Sequence, residues 1–308
     1  MAVSRRSLLA AAPALAQHAV QPSPVYDSAF WKIWGDGQAE LAGYDLTFPR
    51  YNAPRMGTAV TIFVTEPFSN SLRVKADPGK HPPSDEFPAM KLNLIVDFQT
   101  GIYDYNEQTS TFIALAPVNS RPAGTPTKIS FSSQEWCGHT WYQFLFDADR
   151  IRTTLHSYFD GEADQQASLP YPAGGVAEDQ LWLWARSMAA PRLAPGESRQ
   201  VPFLPSLQSL RHQHVAAVWT TATLERSAKP APAGTREAEV FTARFQNRWR
   251  TFYVERTAPH RILRWETSSG ERAELLDSAR LKYWELNQPG GEQFLKKLGL
   301  NLRGRRTT

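Results

Sequence analysis

Thr58-Ala59-Val60-Thr61-Ile62-Phe63-Val64 is β-branched and almost continuously apolar, the pattern of a strand buried on both faces. Met90-Lys91-Leu92-Asn93-Leu94-Ile95-Val96 instead begins in alternation, with Lys91 and Asn93 on one face, as in a half-solvated antiparallel strand. The short loop Gln99-Thr100-Gly101 leads to Ile102-Tyr103-Asp104-Tyr105, and 109–115 is a further strand-like run. Turn signals at Pro117, Pro122-Ala123-Gly124 and Pro126 then separate it from 128–134. Segments 141–146 and 151–159 read as a hairpin closed by Asp147-Ala148-Asp149-Arg150. The order is that of an antiparallel meander.

One helix is predicted over 176–189. It follows Gly174-Gly175, carries Glu178 and Asp179 in its first turn and Arg186 in its last, and ends before Pro191. Leu181, Trp182, Trp184, Ala185 and Met188 give it a broad apolar face. Leu169-Pro170-Tyr171-Pro172 marks the internal boundary, between an antiparallel β lobe at 17–172 and a helix plus antiparallel β lobe at 173–308, expected to pack as one unit. Strands resume at 197–203, 215–224, 240–245, 251–255, 260–267 and 271–282; 227–234 reads as an exposed loop, and a short helix at 291–298 stops at Gly299. The expected fold is mainly β (α+β): a large curved antiparallel sheet or half-barrel with one central helix and a short C-terminal helix.

Composition agrees with a folded protein. The 308 residues are 42% hydrophobic and 21% charged, which excludes collagen-like, disordered and disulfide-framework classes. The single Cys137 can form no intramolecular disulfide, so the core must hold the fold. Ser4-Arg5-Arg6-Ser7-Leu8-Leu9, an Ala-rich apolar run and Ala14-Leu15-Ala16 together predict a twin-arginine-like export signal at 1–16, cleaved near Ala16. A periplasmic or extracellular location follows as the expectation. No later run of about 18 apolar residues predicts a transmembrane span.

Charge is unevenly distributed. Residues 17–170 hold 11 Lys and Arg against 17 Asp and Glu, whereas 171–308 hold 21 against 13. Attraction between the halves accounts for this most simply; an anionic ligand or contact with an anionic envelope surface would also use it. Nucleic acid is not an expected partner of an exported chain.

The ending Arg261-Ile262-Leu263-Arg264-Trp265-Glu266, Ser269-Gly270-Glu271, Ala273-Glu274-Leu275 and Ser278-Ala279-Arg280-Leu281-Lys282-Tyr283-Trp284 resembles the closing hairpin of an uncharacterised exported β-rich family. That family is similar in shape to the periplasmic lipoprotein carriers, curved half-barrels with a helix on the concave side. The resemblance implies an apolar groove for acyl chains or another hydrophobic ligand. Trp34-Gly35-Asp36-Gly37, Thr65-Glu66-Pro67-Phe68 and Ser133-Gln134-Glu135-Trp136-Cys137-Gly138-His139 resemble exported bacterial proteins that carry a septum-formation-inhibitor label. The nucleotide-cleaving proteins behind that label are cytosolic α/β folds with an N-terminal Ser-rich phosphate motif, and neither feature is visible in this sequence.

Chemistry-bearing residues concentrate in one place. Glu135, Cys137 and His139 lie at two-residue spacing, so an extended segment would turn all three to one side, with His156 and Asp160 from the hairpin partner. The set could pack as core beside Trp136, Trp141, Tyr142 and Tyr158, bind a ligand, activate a Cys thiolate, or hold a metal through Cys137, His139 and His156. Asp160-Gly161-Glu162-Ala163-Asp164 resembles the opening of a calcium loop but lacks its glycine and closing glutamate, and reads as a solvated turn. His212-Gln213-His214 could present two imidazoles from a strand. The alternation Arg244, Phe245, Arg248, Trp249, Arg250, Phe252 and Tyr253 reads as a solvated face with Arg stems on aromatics. No nucleophile elbow, zinc-protease, redox, P-loop or dinucleotide motif is present, and no cofactor is expected. The leading expectation is an exported carrier of a hydrophobic or amphiphilic molecule, with Trp136, Trp141, Tyr158, Trp182 and Trp249 as its contacts. An exported hydrolase or metal enzyme centred on Cys137, His139 and His156, and a structural envelope protein, are the alternatives.

Overall fold

The computed structural model describes Pro24 and residues 26–301, so the expected export signal lies outside the described residues. Eight strands form the first series: β1 (Ala39–Arg50), β2 (Ala53–Ser69), β3 (Glu86–Thr100), β4 (Tyr103–Ala114), β5 (Pro126–Glu135), β6 (Gly138–Phe146), β7 (Arg150–Ser157) and β8 (Gln165–Pro170). The second series is β9 (Val176–Ala177), β10 (Ser198–Leu204), β11 (Thr220–Arg226), β12 (Ala231–Ala233), β13 (Arg236–Phe245), β14 (Arg248–Glu255), β15 (Ile262–Thr267) and β16 (Arg272–Leu281). Three α-helices accompany them among the described residues: α1 (Ser28–Trp34), α2 (Leu181–Ala185) and α3 (Leu207–Gln213).

Both series belong to one 16-stranded sheet, in the order β8-β7-β6-β5-β4-β3-β2-β1-β16-β15-β14-β13-β11-β10-β9, with β12 added to β13. Neighbours are antiparallel except β9 and β10, where Phe203 opposes Val176 in parallel. The halves meet where β1 pairs with β16, Leu41 opposite Ala279. The Tyr44 hydroxyl reinforces that junction by donating to the Ile262 carbonyl at 2.9 Å.

β2 is buried on both faces, as its sequence predicts. Ala59 and Phe63 join the central core with Tyr44 and Leu92, while Ile62 and Val64 pack outward against Leu41, Leu298 and Leu300. The outer cover is a 3-10 segment, Gly291–Leu298, ended by Gly299 in the left-handed region at φ 70°. Gly43 permits this approach, because a Cβ there would collide with the Leu298 carbonyl oxygen.

The concave side is filled by the chain itself. All five residues of α2, Leu-Trp-Leu-Trp-Ala, are buried, as expected of a helix apolar all round. Trp182 meets Phe252 and Trp265 edge-on at 5.3 and 5.9 Å, and Trp184 meets Phe241 at 5.5 Å. Leu207 and Leu210 of α3 pack with Phe131, Phe144 and Phe146 under β5–β7. The apolar groove expected along this face is thus occupied by core side chains.

Three local expectations change. The helix expected at 176–189 is α-helical only at α2; Val176 and Ala177 are drawn into β9, and Glu178–Gln180 is a 3-10 turn. Its acidic residues instead serve the next helix: Glu178 accepts the Ser206 N–H at 3.1 Å and Asp179 the Leu207 N–H at 3.0 Å, satisfying donors at the start of α3. The expected strand 215–224 begins only at Thr220, and the expected exposed loop 227–234 contributes β12.

Part of the charge asymmetry is used inside the molecule. Acidic groups of the first half meet basic groups of the second at Glu40 with Arg186, Glu162 with Arg211, Glu107 with His212 and Asp36 with Arg280. Among the described residues no helix is long and apolar enough to cross a membrane.

Candidate functional site

The β5–β6 hairpin redistributes the residues singled out in the sequence. Trp136 and Cys137 form its two-residue turn, so Glu135 opposes Gly138 and Gln134 opposes His139. The segment is therefore not extended through Cys137: Glu135 is buried, whereas Cys137 and His139 are exposed. The Cys137 N–H donates to the Glu135 carboxylate at 2.8 Å. Hydrogen bonding to Glu135, and its negative charge, raise the thiol pKa, which opposes thiolate formation. His156 lies opposite Trp141 on the outer face, rings 5.6 Å apart, and its Nδ1 is 2.7 Å from Asp164. Asp160 is exposed in the β7–β8 turn, where it accepts the Gly161 N–H at 3.0 Å. Among the described residues no three His, Cys, Asp or Glu side chains are grouped to hold a metal ion. Trp136 and Tyr158 are 68% and 69% exposed, whereas Trp182 lies in the core.

A different pocket gathers at the end of the sheet where β1 turns into β2, β13 into β14 and β15 into β16. It encloses about 750 Å³ and is closed on one side by α3. Tyr51 and Asn52 make the first turn at φ 53° and 56°, and Gln246 makes the second at φ 53°. Phe48, Tyr51, Phe245 and Trp249 supply aromatic wall; Arg50, Arg248, Arg250 and His212 supply cationic or proton-carrying groups. Of the five aromatic residues expected to contact a ligand, Trp249 is the one that lines this pocket.

Its floor is a buried ionic cluster. Arg250 contacts Glu178 at 3.3 Å and Glu271 at 3.1 Å, and its guanidinium lies 4.7 Å from the Trp182 ring centroid. The Trp265 indole N–H donates to Glu271 at 2.6 Å. Burial forces Arg250 to keep these partners, because an isolated buried charge is costly. This corrects the expectation that Arg250 belongs to a solvated strand face. Burial also pushes the Asp179 carboxyl up to about 7, against the Leu207 hydrogen bond and with help from Glu178.

Beside the floor, buried Glu107 is 2.7 Å from His212 Nε2 and accepts hydrogen bonds from Gln208 at 2.7 Å and Ser133 at 3.2 Å. Burial works to raise its pKa, but the His212 charge and the hydrogen bonds prevail and lower it. His212 and His214 do not share a strand face as expected. They end α3, where His212 turns to Glu107 and His214, left-handed at φ 55°, places Nδ1 2.7 Å from Glu162.

Arg50 and Arg248 differ from Arg250. Among the described residues neither forms an ion pair with a carboxylate: Arg50 lies 4.5 Å from the Tyr51 ring centroid and reaches the Tyr105 hydroxyl at 3.4 Å, while Arg248 lies 4.9 Å from the Phe245 ring centroid and reaches the Ser209 hydroxyl at 3.4 Å. A half-buried guanidinium beside an aromatic wall can accept a bidentate anion whose apolar body lies along the rings. Sequence reasoning names Trp249 both as a ligand contact and within a solvated strand face, and assigns Arg248 and Arg250 to that face alone; it misses Arg50, Glu107 and the role of His212. The signal available for Arg50 is its place before the Tyr51-Asn52 turn, which becomes meaningful only when three turns share one end of the sheet.

No family model matches the chain, and no curated protein matches it. A solved structure described as a beta-barrel-like protein of the domain of unknown function DUF1849, from Brucella abortus, is similar over 79% of this chain and 98% of that chain, at 12% identity and a TM-score of 0.43.

Proposed function

We propose that this protein is an exported binding protein whose end-of-sheet pocket takes a small amphiphile with an anionic head. The observation that carries this reading is the pair Arg50 and Arg248, without carboxylate partners among the described residues, facing a pocket of about 750 Å³ with Phe48, Tyr51, Phe245 and Trp249 in its walls. The head group sits between the two guanidiniums, with His212, held by Glu107, as a further donor. The apolar body lies along the aromatic wall instead of entering the filled concave core. The carrier-like expectation of a ligand in the concave groove does not survive the filled core; the class of ligand is retained at the open end of the sheet.

The test is calorimetric titration with decyl phosphate below its micelle concentration, with 1-decanol and inorganic phosphate as controls. Saturable binding of decyl phosphate, stronger than either control, is expected. Each charged hydrogen bond contributes about 1.5–3 kcal/mol, so Arg50→Gln with Arg248→Gln is expected to weaken binding by at least about tenfold. Equal binding of 1-decanol, or no change in the double variant, would overturn the assignment.

A further inference from the structure

The outer face of β3–β7 carries a second hollow, separate from the end-of-sheet pocket, of about 660 Å³. The strand register builds it in rows. Ile95 opposes Gln108, Gln108 opposes Ser132, Ser132 opposes Trp141, and Trp141 opposes His156. The adjoining row runs Asp97, Asn106, Gln134 and His139. Antiparallel pairing brings each row to one face and repeats it at the strand spacing of about 4.8 Å.

The chemistry of these rows is selective. Among the described residues no Lys or Arg lines the hollow, and its carboxylates include Asp97 and Asp164, so the lining disfavours an anionic ligand. Amide and hydroxyl side chains at Gln108, Ser132 and Gln134 both donate and accept, which suits a ligand whose groups do the same. Trp141, stacked with His156 at an interplanar angle of 25°, provides an aromatic surface beside them. Elsewhere the outer face is differently occupied: the C-terminal segment covers β2, and Lys91 pairs with Glu66 at 2.7 Å.

We propose that the outer-face hollow over β3–β7 binds a neutral oligosaccharide, its hydroxyls bonded to the Gln108, Ser132 and Gln134 rows and a sugar ring against Trp141. The rows of polar groups recur on the scale at which hydroxyls recur along a chain of pyranose rings. This site uses none of the amphiphile pocket's arginines, and Glu107, which holds His212 there, also borders the hollow.

The test uses tetra-N-acetylchitotetraose, cellotetraose and maltotetraose as probes, read by calorimetry and tryptophan fluorescence. Saturable binding of at least one probe is expected, weakened at least tenfold by Trp141→Ala and by Gln108→Ala with Gln134→Ala, and unchanged by Arg50→Gln with Arg248→Gln. Circular dichroism checks each variant's fold, and His139→Ala provides a second probe of the face should Trp141→Ala misfold. Failure of all three probes to bind, or retention of full affinity in folded variants altered on this face, would overturn the proposal. Loss in the arginine variant alone would overturn it too, by placing the sugar in the other pocket.

Discussion

Changing Glu40 to Gln keeps the size of the side chain while removing the charge that faces Arg186. The Arg186 side chain is fully buried, 0% exposed, and its guanidinium meets Glu40 through two contacts of 2.7 and 3.1 Å. It also donates to the Pro259 carbonyl at 2.7 Å and lies 4.2 Å from the Phe63 ring centroid, so it has no route to solvent in place. Removing one partner of such a pair costs about 3–5 kcal/mol, because the other charge stays buried and uncompensated. Glu40 belongs to β1 and Arg186 follows α2, so the loss falls on the junction between the two series of strands. The assay is equilibrium urea unfolding followed by tryptophan fluorescence, comparing midpoints at constant slope. Glu40→Gln is expected to lower stability by that amount, and Glu40→Gln with Arg186→Met to recover much of it, since an apolar replacement of both partners removes the stranded charge. A loss below about 1 kcal/mol in the single variant, or a double variant as unstable as the sum of its singles, would refute the reasoning.

Two other perturbations read different parts of the fold. Asp179, with a folded-state pKa of about 7 against an ordinary 3.8, binds a proton more tightly when folded. Its contribution is therefore full below the ordinary value and is lost as pH rises through about 7, with a slope of at most about 1.4 kcal/mol per pH unit. Asp179→Asn is expected to flatten this fall in urea melts between those limits, and an unchanged slope would count against a buried, protonated Asp179. Gly43→Ala places a methyl group against the Leu298 carbonyl and is expected to destabilise by about 1–3 kcal/mol while releasing the 291–298 segment. Limited proteolysis near that segment checks it; unchanged cleavage and stability would show that the segment does not rest on Gly43.

The sheet is legible in the sequence where periodicity acts directly. Residues 58–64 and 90–96 read as two strands with different burial, and the Asp147-Ala148-Asp149-Arg150 turn marks the β6–β7 hairpin, because side-chain alternation and turn residues act over a few positions. The helix expected at 176–189 is too long because acidic residues before an apolar run look the same whether they start that helix or cap another one 28 residues away. α3 escapes detection because Leu207 and Leu210 give only two apolar positions, and the helix is held by its burial under β5–β7. The β5–β6 turn escapes it because Trp136-Cys137 lacks the residues favoured in tight turns. The pocket is the least legible feature. Arg50, His212 and Arg248 are far apart in the chain and meet only because antiparallel pairing returns their strands and α3 to one end of the sheet.

Hydrogen–deuterium exchange with and without decyl phosphate, resolved by peptide, tests the binding account most directly. Protection is expected in the turns around 50–53, 246–250 and 267–271 and along α3, with no change in the already buried α2. Protection centred on α2 or on the outer face of β3–β7, or no change anywhere at saturating ligand, would contradict an anionic-amphiphile site at the end of the sheet.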